Sequence, residues 1–415
     1  MQAAVQRVES ISGQILAYLK DLVRIPTVNP PGDHYQELCA YAMQRLRQMD
    51  CEVELVPVPQ ERENDLYPFG KGYPRMSLVG RYRKSREERP GLHLSGHYDV
   101  VPAGPSWSRD PFKPDEEDGR LYGLGTSDMK GGIASIMGVI QALHETNTQL
   151  RNGLTFSFTP DEETGGLAGM GYLVKQGVIK ADYGIITEPS QPHYVRIGHR
   201  GVLWVEVVTK GRTAHASMPY RGINAFKKLV RVAQGLEELE RELEGKITAA
   251  PVMVEEDKHP TICIGSVVRG GVKTNVVPDE CSMMLDRRLI PEETTQQAFD
   301  EIRSVVEILQ REDPELRVEL NRHLNIEAAS IAADSLLSQT VAVCHQQIYG
   351  RKPAIAISPG FNDTHYMIRG MGIPALTYGP GTTGTAHTPN EYIVIDDLTK
   401  TTQTLVQVVH TLLGG

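Results

Sequence analysis

Residues 92–102, LHLSGHYDVVP, decide the fold, because a short alternating strand stops at a glycine and runs directly into polar side chains. Two further apolar segments, LTFSF at 154–158 and YGIIT at 183–187, also have the composition of buried strands. A helix is predicted between the first two strands, over 131–144. Strands that alternate with helices predict an α/β domain with a mostly parallel sheet and helices on both faces.

The same α/β pattern occupies both ends of the chain. Residues 6–24 are predicted to form one amphipathic helix, with Val8, Ile11 and Ile15 among its apolar positions. The other predicted elements are a rigid turn at Asn29-Pro30-Pro31-Gly32, helices at 35–49, 334–348 and 396–413, and strands at 53–58, 354–357 and 375–378.

The middle of the chain has a different order of elements. It is predicted to run strand 202–209, helix 223–243, strands 261–268 and 279–287, helix 292–311 and strand 316–320, with Phe226 and Val230 among the apolar positions of the first helix. This βαββαβ order is typical of a small ferredoxin-like α+β domain. We therefore expect one α/β domain, 1–199 plus 319–415, interrupted by an inserted domain at 200–318.

Composition narrows the class of protein. The chain has 43 Lys and Arg against 52 Asp and Glu, a net charge of −9, which argues against a nucleic-acid partner. We expect no membrane partner and no secretion signal, because the most apolar helical stretch is too short for a bilayer and the N-terminus is amphipathic. Five scattered cysteines suggest neither a disulfide framework nor a cysteine-based zinc site, so we expect a cytoplasmic location.

Metal-type ligands follow the predicted strands. Their shared feature is a position in a loop after a strand, where α/β sheets bind ligands; they are His97, Asp99, Asp128, Glu162, Glu163, Glu188 and His387. Taken singly, each has an ordinary explanation: Asp128 could cap a helix, and the acidic loop could simply be solvated. Their joint placement favours a metal centre, and mixed imidazole and carboxylate ligands favour zinc. A pair of ions would need a bridging carboxylate and a spare acid to act as a base.

The order of these motifs resembles the dizinc deacylase/carboxypeptidase family, which includes acetylornithine deacetylase, succinyl-diaminopimelate desuccinylase and glutamate carboxypeptidase. The resemblance rests on Gly96-His97-x-Asp99, Gly125-x-x-Asp128-Met-Lys-Gly-Gly132, Asp161-Glu162-Glu163-x-Gly165, Glu188-Pro189 and the late His387. It implies a zinc-exopeptidase-like catalytic domain with an inserted lid and dimerisation domain. It also implies two Zn²⁺ per chain, for which Co²⁺ or Mn²⁺ could substitute.

The resemblance assigns roles within the metal centre. Asp128 would bridge the two ions, with His97 and Glu188 completing one site, and Glu163 and His387 completing the other. Glu162 would be the general base, and Asp99 would orient His97. A cis peptide bond is implied between Asp128 and Met129.

The inserted domain carries further matching residues. His215 resembles the family histidine that polarises the scissile carbonyl, often across a dimer interface. Asn275 and Arg288 resemble residues that hold the substrate carboxylate, and the resemblance favours Arg288 over Arg287. The alternative is that Arg287 and Arg288 lie on opposite faces of a strand and that one of them is merely solvated. Gly360 is a further expected substrate-binding position. The segment after it departs from the Gly-Gly-Thr-Asp of many relatives, because Phe361 and Asn362 place a bulky ring there.

These features predict a metal-dependent amidohydrolase that cleaves an N-acyl amino acid, acting as a homodimer on a small substrate with a carboxylate. A metallo-carboxypeptidase or a dipeptidase would use the same centre and remains an alternative. A non-catalytic relative that binds a metal or a small acid is disfavoured, because mere binding needs neither a base nor a carbonyl polariser. A nucleotide-binding protein is disfavoured because Asp128 stands where a phosphate loop needs its third glycine.

Overall fold

The computed structural model describes residues 2–67, 70–84 and 91–414. Within these ranges the helices are α1 (Gln2–Ser10), α2 (Ser12–Arg24), α3 (Tyr35–Arg47), α4 (Glu63–Leu66), α5 (Lys130–Glu145), α6 (Met170–Lys175), α7 (Ala225–Leu243), α8 (Thr295–Glu312), α9 (Leu336–Tyr349) and α10 (Ile395–Leu413). The strands are β1 (Cys51–Pro57), β2 (Met76–Tyr82), β3 (Leu92–His97), β4 (Asp115–Glu117), β5 (Arg120–Tyr122), β6 (Leu154–Thr159), β7 (Tyr183–Pro189), β8 (Tyr194–His199), β9 (Gly201–Lys210), β10 (Thr261–Gly270), β11 (Glu280–Leu289), β12 (Arg317–Ile326), β13 (Ala329–Ser330), β14 (Ala354–Ser358), β15 (Ala375–Gly379) and β16 (Tyr392–Val394).

The chain forms two compact units. The first comprises Met1–Gly198, Ser330–Ala356 and Asn362–Gly415, and the second comprises His199–Ala329 and Ile357–Phe361. Among the described residues, no helix combines the length and the apolarity that crossing a bilayer requires.

The first unit is built on a mixed sheet with the order β1-β2-β6-β3-β7-β15-β8-β13, with β14 also paired to β8. The four central strands β6, β3, β7 and β15 are parallel, and the pairs β1–β2, β2–β6 and β15–β8 are antiparallel. The predicted parallel arrangement therefore occupies the centre of the sheet. Because the carboxyl ends of parallel strands share one edge, the loops that follow β3, β6 and β7 meet there.

Helix α5 is the central helix of this unit. It is apolar around its circumference, and nearly all of its residues are buried. It lies very close to β7 at Gly132, where a Cβ atom would lie 2.1 Å from the carbonyl oxygen of Thr187. Only glycine fits at this contact, which fixes the start of the helix against the sheet.

The N-terminal helix is not continuous, contrary to prediction. It is divided at Ile11, whose φ of −106° and ψ of 10° fall outside the helical region. Periodicity could not reveal this break, because Val8, Ile11 and Ile15 are all buried and their spacing continues through it.

The second unit has the predicted βαββαβ order. Its antiparallel sheet runs β10-β11-β9-β12, and α7 and α8 pack on it. Residues of α7 and α8, among them Leu236 and Ile302, are buried in this core. Phe226 and Val230, expected on the apolar face of α7, are instead 52% and 39% exposed, because the buried stripe of the helix runs through Leu229, Val232 and Leu236.

Candidate metal centre

The first unit brings the five predicted metal ligands together with Asp99 and Glu162 at the carboxyl edge of its parallel strands. His97 is the last residue of β3, and Glu188 is the penultimate residue of β7. Glu162 and Glu163 lie in a short 3₁₀ turn that follows β6. Asp128 precedes α5 and is followed by a cis peptide bond to Met129, as the resemblance implies.

Asp128 lies between the two histidines. One carboxylate oxygen, Oδ1, is 3.1 Å from Nε2 of His97, and the other, Oδ2, is 3.5 Å from Nε2 of His387. His97 Nε2 is also 3.1 Å from Oε1 of Glu188, and His387 Nε2 is 3.0 Å from Oε2 of Glu163. The cluster therefore has two halves, His97 with Glu188 and His387 with Glu163, and Asp128 contacts both.

Among the described residues, two overlapping groups of side chains, which share His97, have the composition of a metal site. Within each group the ligand atoms lie within 4.8 Å of one another, and the groups are His97, Glu162 and Glu188, and His97, Asp128 and Glu163. Imidazole nitrogens and carboxylate oxygens form the donor set that zinc accepts. Within the first group, Glu162 lies farther from His97 than Glu188 does: its Oε2 is 3.8 Å from His97 Nε2.

The cluster carries more negative than positive charge in a buried setting. Burial raises the pKa of Glu162 well above its ordinary value, and nearby Glu188 raises it further. Burial likewise raises the pKa of Glu188 to about 7. A hydrogen bond with Glu163 raises the pKa of His387 to about 9. The carboxylates thus lack enough neighbouring positive charge, and divalent cations would supply it, so the residues present fit a metal pair.

Asp99 acts on both His97 and the acidic loop. Its main-chain carbonyl accepts a hydrogen bond from Nδ1 of His97 at 3.0 Å, while its carboxylate lies 3.4 Å from the same nitrogen. Because a carbonyl only accepts, Nδ1 carries a proton and Nε2 faces the cluster. The Asp99 carboxylate also accepts hydrogen bonds from the backbone nitrogens of Glu162 and Glu163.

The sequence did not assign roles to two buried charged residues near the cluster. Glu391 lies four residues after His387 and accepts three backbone hydrogen bonds from the loop that contains Asp128. Arg75 is buried against Asp161, the first of the three consecutive acids. A carboxylate at fixed spacing after His387 could have drawn attention to Glu391, whereas no local pattern marks Arg75.

The four predicted substrate-site residues lie in the second unit. His215 is exposed, and its Nδ1 is 2.7 Å from the Ser217 hydroxyl. Asn275 lies on an adjacent loop, where its carbonyl accepts a hydrogen bond from the nitrogen of Ala216. Gly360 has open space around it, because an added Cβ would meet no atom within 4 Å.

Arg287 and Arg288 occupy opposite faces of β11, but neither is merely solvated. Arg287 is fully buried and its Nη2 is 2.6 Å from Oε1 of Glu293. Arg288 is partly exposed and donates two hydrogen bonds to Asp286, at 2.7 and 2.9 Å. Both guanidinium groups have carboxylate partners within the unit, and the expected role of Arg288 in holding a substrate carboxylate stays a prediction.

Residues 93–411 match the model of peptidase family M20/M25/M40. The chain is 30% identical to acetylornithine deacetylase of Edwardsiella ictaluri, with 88% of each chain covered. It is 27% identical to succinyl-diaminopimelate desuccinylase of Gluconacetobacter diazotrophicus, covering 96% of this chain and 97% of that protein. Among solved structures, it superposes on the dipeptidase Dug1p of Saccharomyces cerevisiae with a TM-score of 0.79 at 15% identity, covering 98% and 97% of the two chains. An M20 family metallo-carboxypeptidase from Sulfolobus solfataricus gives a TM-score of 0.75 at 20% identity, covering 95% and 98%.

Proposed function

Because the chain belongs to peptidase family M20/M25/M40 and is thus a hydrolase of carbon–nitrogen bonds, we propose that it removes the acyl group from an N-acyl amino acid. Relatives named as a deacetylase and a desuccinylase support this class of substrate. The alternative, a metallo-carboxypeptidase or dipeptidase, would use the same centre.

The observation that carries the proposal is the position of Asp128, whose two oxygens face His97 and His387 separately. In the proposed arrangement, His97, Glu188 and Asp128 would hold one zinc ion. Glu163, His387 and the same Asp128 would hold the other. When bound, such a pair supplies Lewis-acid polarisation of the substrate carbonyl and lowers the pKa of water.

Glu162 is proposed as the general base. It is buried at the cluster, yet it lies farther from His97, at 3.8 Å, than Asp128 and Glu188 do, each at 3.1 Å. Burial and the charge of Glu188 raise the pKa of Glu162, and a carboxylate with a raised pKa is a stronger base that can take a proton from water and pass it to the leaving amine. Asp99 holds the Glu162 backbone and the His97 ring, so it would orient both groups.

Substrate recognition is proposed to come from His215, Asn275, Arg288 and Gly360. The hydrogen bond between the Asn275 and Ala216 backbones keeps the loops of Asn275 and His215 adjacent, which supports a shared role. Asp286 accepts hydrogen bonds from Nε and Nη2 of Arg288 and so orients the guanidinium, whose Nη1 side would meet the substrate carboxylate. His215 would then stabilise the charge that develops on the carbonyl oxygen.

We also propose a homodimer formed through the second unit. Strand β10 is an edge strand of its sheet, and Val267 and Val268 on it are 45% and 57% exposed. Phe226 on α7 is exposed beside this strand, and both line one groove. An apolar edge strand next to an apolar helix face suits a two-fold partner, which would pair like surfaces.

The substrate class can be tested with zinc-loaded enzyme and a panel of N-acetyl, N-formyl, N-succinyl and N-carbamoyl amino acids together with dipeptides. We expect hydrolysis of at least one N-acyl amino acid with a free carboxylate. Hydrolysis of dipeptides alone would support the alternative, and no hydrolysis of any compound would contradict both.

A further inference from the structure

The three consecutive acids of the loop after β6 do not share one environment. Glu162 and Glu163 belong to the metal cluster, whereas Asp161 is directed to Arg75. The Arg75 Nε lies 2.8 Å from Oδ2 and 3.1 Å from Oδ1 of Asp161, and each side chain is only 1% exposed. Asp161 also has a left-handed backbone, with φ of 65°, which reverses the chain between β6 and the two glutamates.

The Arg75 guanidinium is closely surrounded by two tyrosine rings and two glycines. Its guanidinium carbon lies 5.1 Å from the ring centre of Tyr35 and 4.8 Å from that of Tyr67. A Cβ atom at Gly32 or Gly70 would approach guanidinium atoms to 2.3 or 2.0 Å. The glycine of the predicted turn Asn29-Pro30-Pro31-Gly32 is therefore required, because any side chain at Gly32 would overlap the Arg75 guanidinium.

Hydrogen bonds link Asp161 to the residues proposed for catalysis. The Asn29 side-chain amide donates to Oδ2 of Asp99 at 2.9 Å and to Oδ1 of Asp161 at 3.1 Å. The Tyr35 hydroxyl donates to the same Asp161 oxygen at 3.0 Å. Because Asp99 in turn accepts hydrogen bonds from the Glu162 and Glu163 backbones, the loop is fixed at two points.

We propose that the buried Arg75–Asp161 pair is a positioning device, which holds the acidic loop so that Glu163 meets the metal while Glu162 stays available as the base. Resting on the proposed function, this assigns each of the three adjacent acids a separate task. Arg75 and Asp161 act through the two glutamates and do not themselves contact the metal or the substrate.

The test compares Arg75→Met, Asp161→Asn and the double variant Arg75→Met/Asp161→Asn with the unmodified chain. Each is titrated with Zn²⁺ in competition with a chelator, and melting temperature, kcat and KM are measured alongside. Arg75→Met leaves an unpaired buried carboxylate, so its melting temperature should fall most. The double variant removes both charges and should recover much of that stability.

Metal binding and turnover should not recover with stability. In the double variant we expect zinc affinity to remain about 10- to 100-fold weaker and kcat to remain lowered with little change in KM, as for lost support of a metal ligand. The matched control is Arg287→Met/Glu293→Gln, which removes a buried arginine–carboxylate pair in the second unit. It should change stability and leave zinc affinity unchanged.

Wild-type zinc affinity in the double variant would overturn the positioning role while leaving the proposed function intact. Recovery of affinity in step with stability would also overturn it, because the pair would then be purely structural. If the unmodified chain itself bound no zinc, the proposed function would fail, and the positioning role with it.

Discussion

Glu391 joins its own loop to the loop of Asp128, 263 residues away, by accepting a hydrogen bond from the Asp128 nitrogen at 3.0 Å. The same oxygen accepts from the Ser127 nitrogen at 2.8 Å, and the other oxygen accepts from Gly125 at 3.1 Å. Because His387 lies four residues before Glu391, one buried carboxylate sets the spacing between the central aspartate of the cluster and a histidine.

Glu391→Gln should therefore weaken zinc binding. An amide keeps one acceptor oxygen but presents N–H groups where the second oxygen stood, so at least one backbone hydrogen bond is lost. We expect zinc affinity to fall by about tenfold, measured by competition with a chelator. The matched control is Glu327→Gln, since Glu327 similarly accepts from Thr295 at the start of α8. Equal loss of zinc affinity in both variants would contradict a specific role for Glu391.

The two adjacent glutamates should fail in different ways. Glu162→Gln removes the proposed base and should retain both metals while losing about 100-fold or more in kcat. Glu163→Gln removes a proposed ligand, so the variant should bind one of its two metal ions more weakly than the unmodified chain does. Metal content after dialysis, measured beside turnover, separates the two outcomes. Loss of metal from Glu162→Gln together with a fully loaded and active Glu163→Gln would reverse the assignment.

Stability should depend on pH in a way that metal abolishes. Burial raises the pKa of Glu188 from 4.5 to about 7. A group whose pKa is raised by folding contributes stability below its unfolded-state pKa and loses that contribution as pH rises through the folded-state value. The contribution of Glu188 should thus be lost from the chelator-treated protein between about pH 4.5 and 7, which lowers its melting temperature relative to that of the zinc-loaded protein.

Zinc-loaded protein should not show this decline, because binding holds the ligands deprotonated and releases their protons. Burial lowers the pKa of His93 to about 3 and that of His345 to about 4, so these histidines contribute in the opposite sense within this window, but they do so in both forms of the protein. The measured quantity is therefore the difference in melting temperature between the zinc-loaded and the chelator-treated protein. Thermal melts of both forms in matched buffers provide the measurement. A difference in melting temperature between the two forms that does not grow from about pH 4.5 to 7 would be inconsistent with the buried cluster.

The proposed dimer predicts complementation between two inactive variants. If His215 of one chain serves the metal centre of its partner, mixed Glu162→Gln and His215→Ala chains place both defects in one site and none in the other. Random re-pairing of equal amounts makes half of the dimers hybrid, so about a quarter of wild-type activity should return. Absence of recovery, with subunit exchange verified by labelled chains, would mean that His215 does not act across the interface.

The sequence predicted the elements that carry the ligands because their signals are local. The segment around His97 is an apolar strand ended by a glycine, and Glu162 and Glu163 follow a similar strand. The roles of Glu391 and Arg75 depend on partners 263 and 86 residues away, and hydrophobic periodicity contains no information about such pairs. Arg287 differs, because its partner Glu293 is close in sequence but lies beyond the end of β11, where the alternation of a strand no longer predicts contacts.

The central claim is that a pair of metal ions at Asp128 makes this chain an amidohydrolase. The most direct measurement is a titration of chelator-treated protein with Zn²⁺, following metal binding and the hydrolysis of an N-acyl amino acid together. We predict no turnover without metal, a rise in turnover on addition of zinc, and a plateau at about two equivalents per chain. Full turnover by the metal-free protein, or saturation of binding without any hydrolysis, would contradict the account.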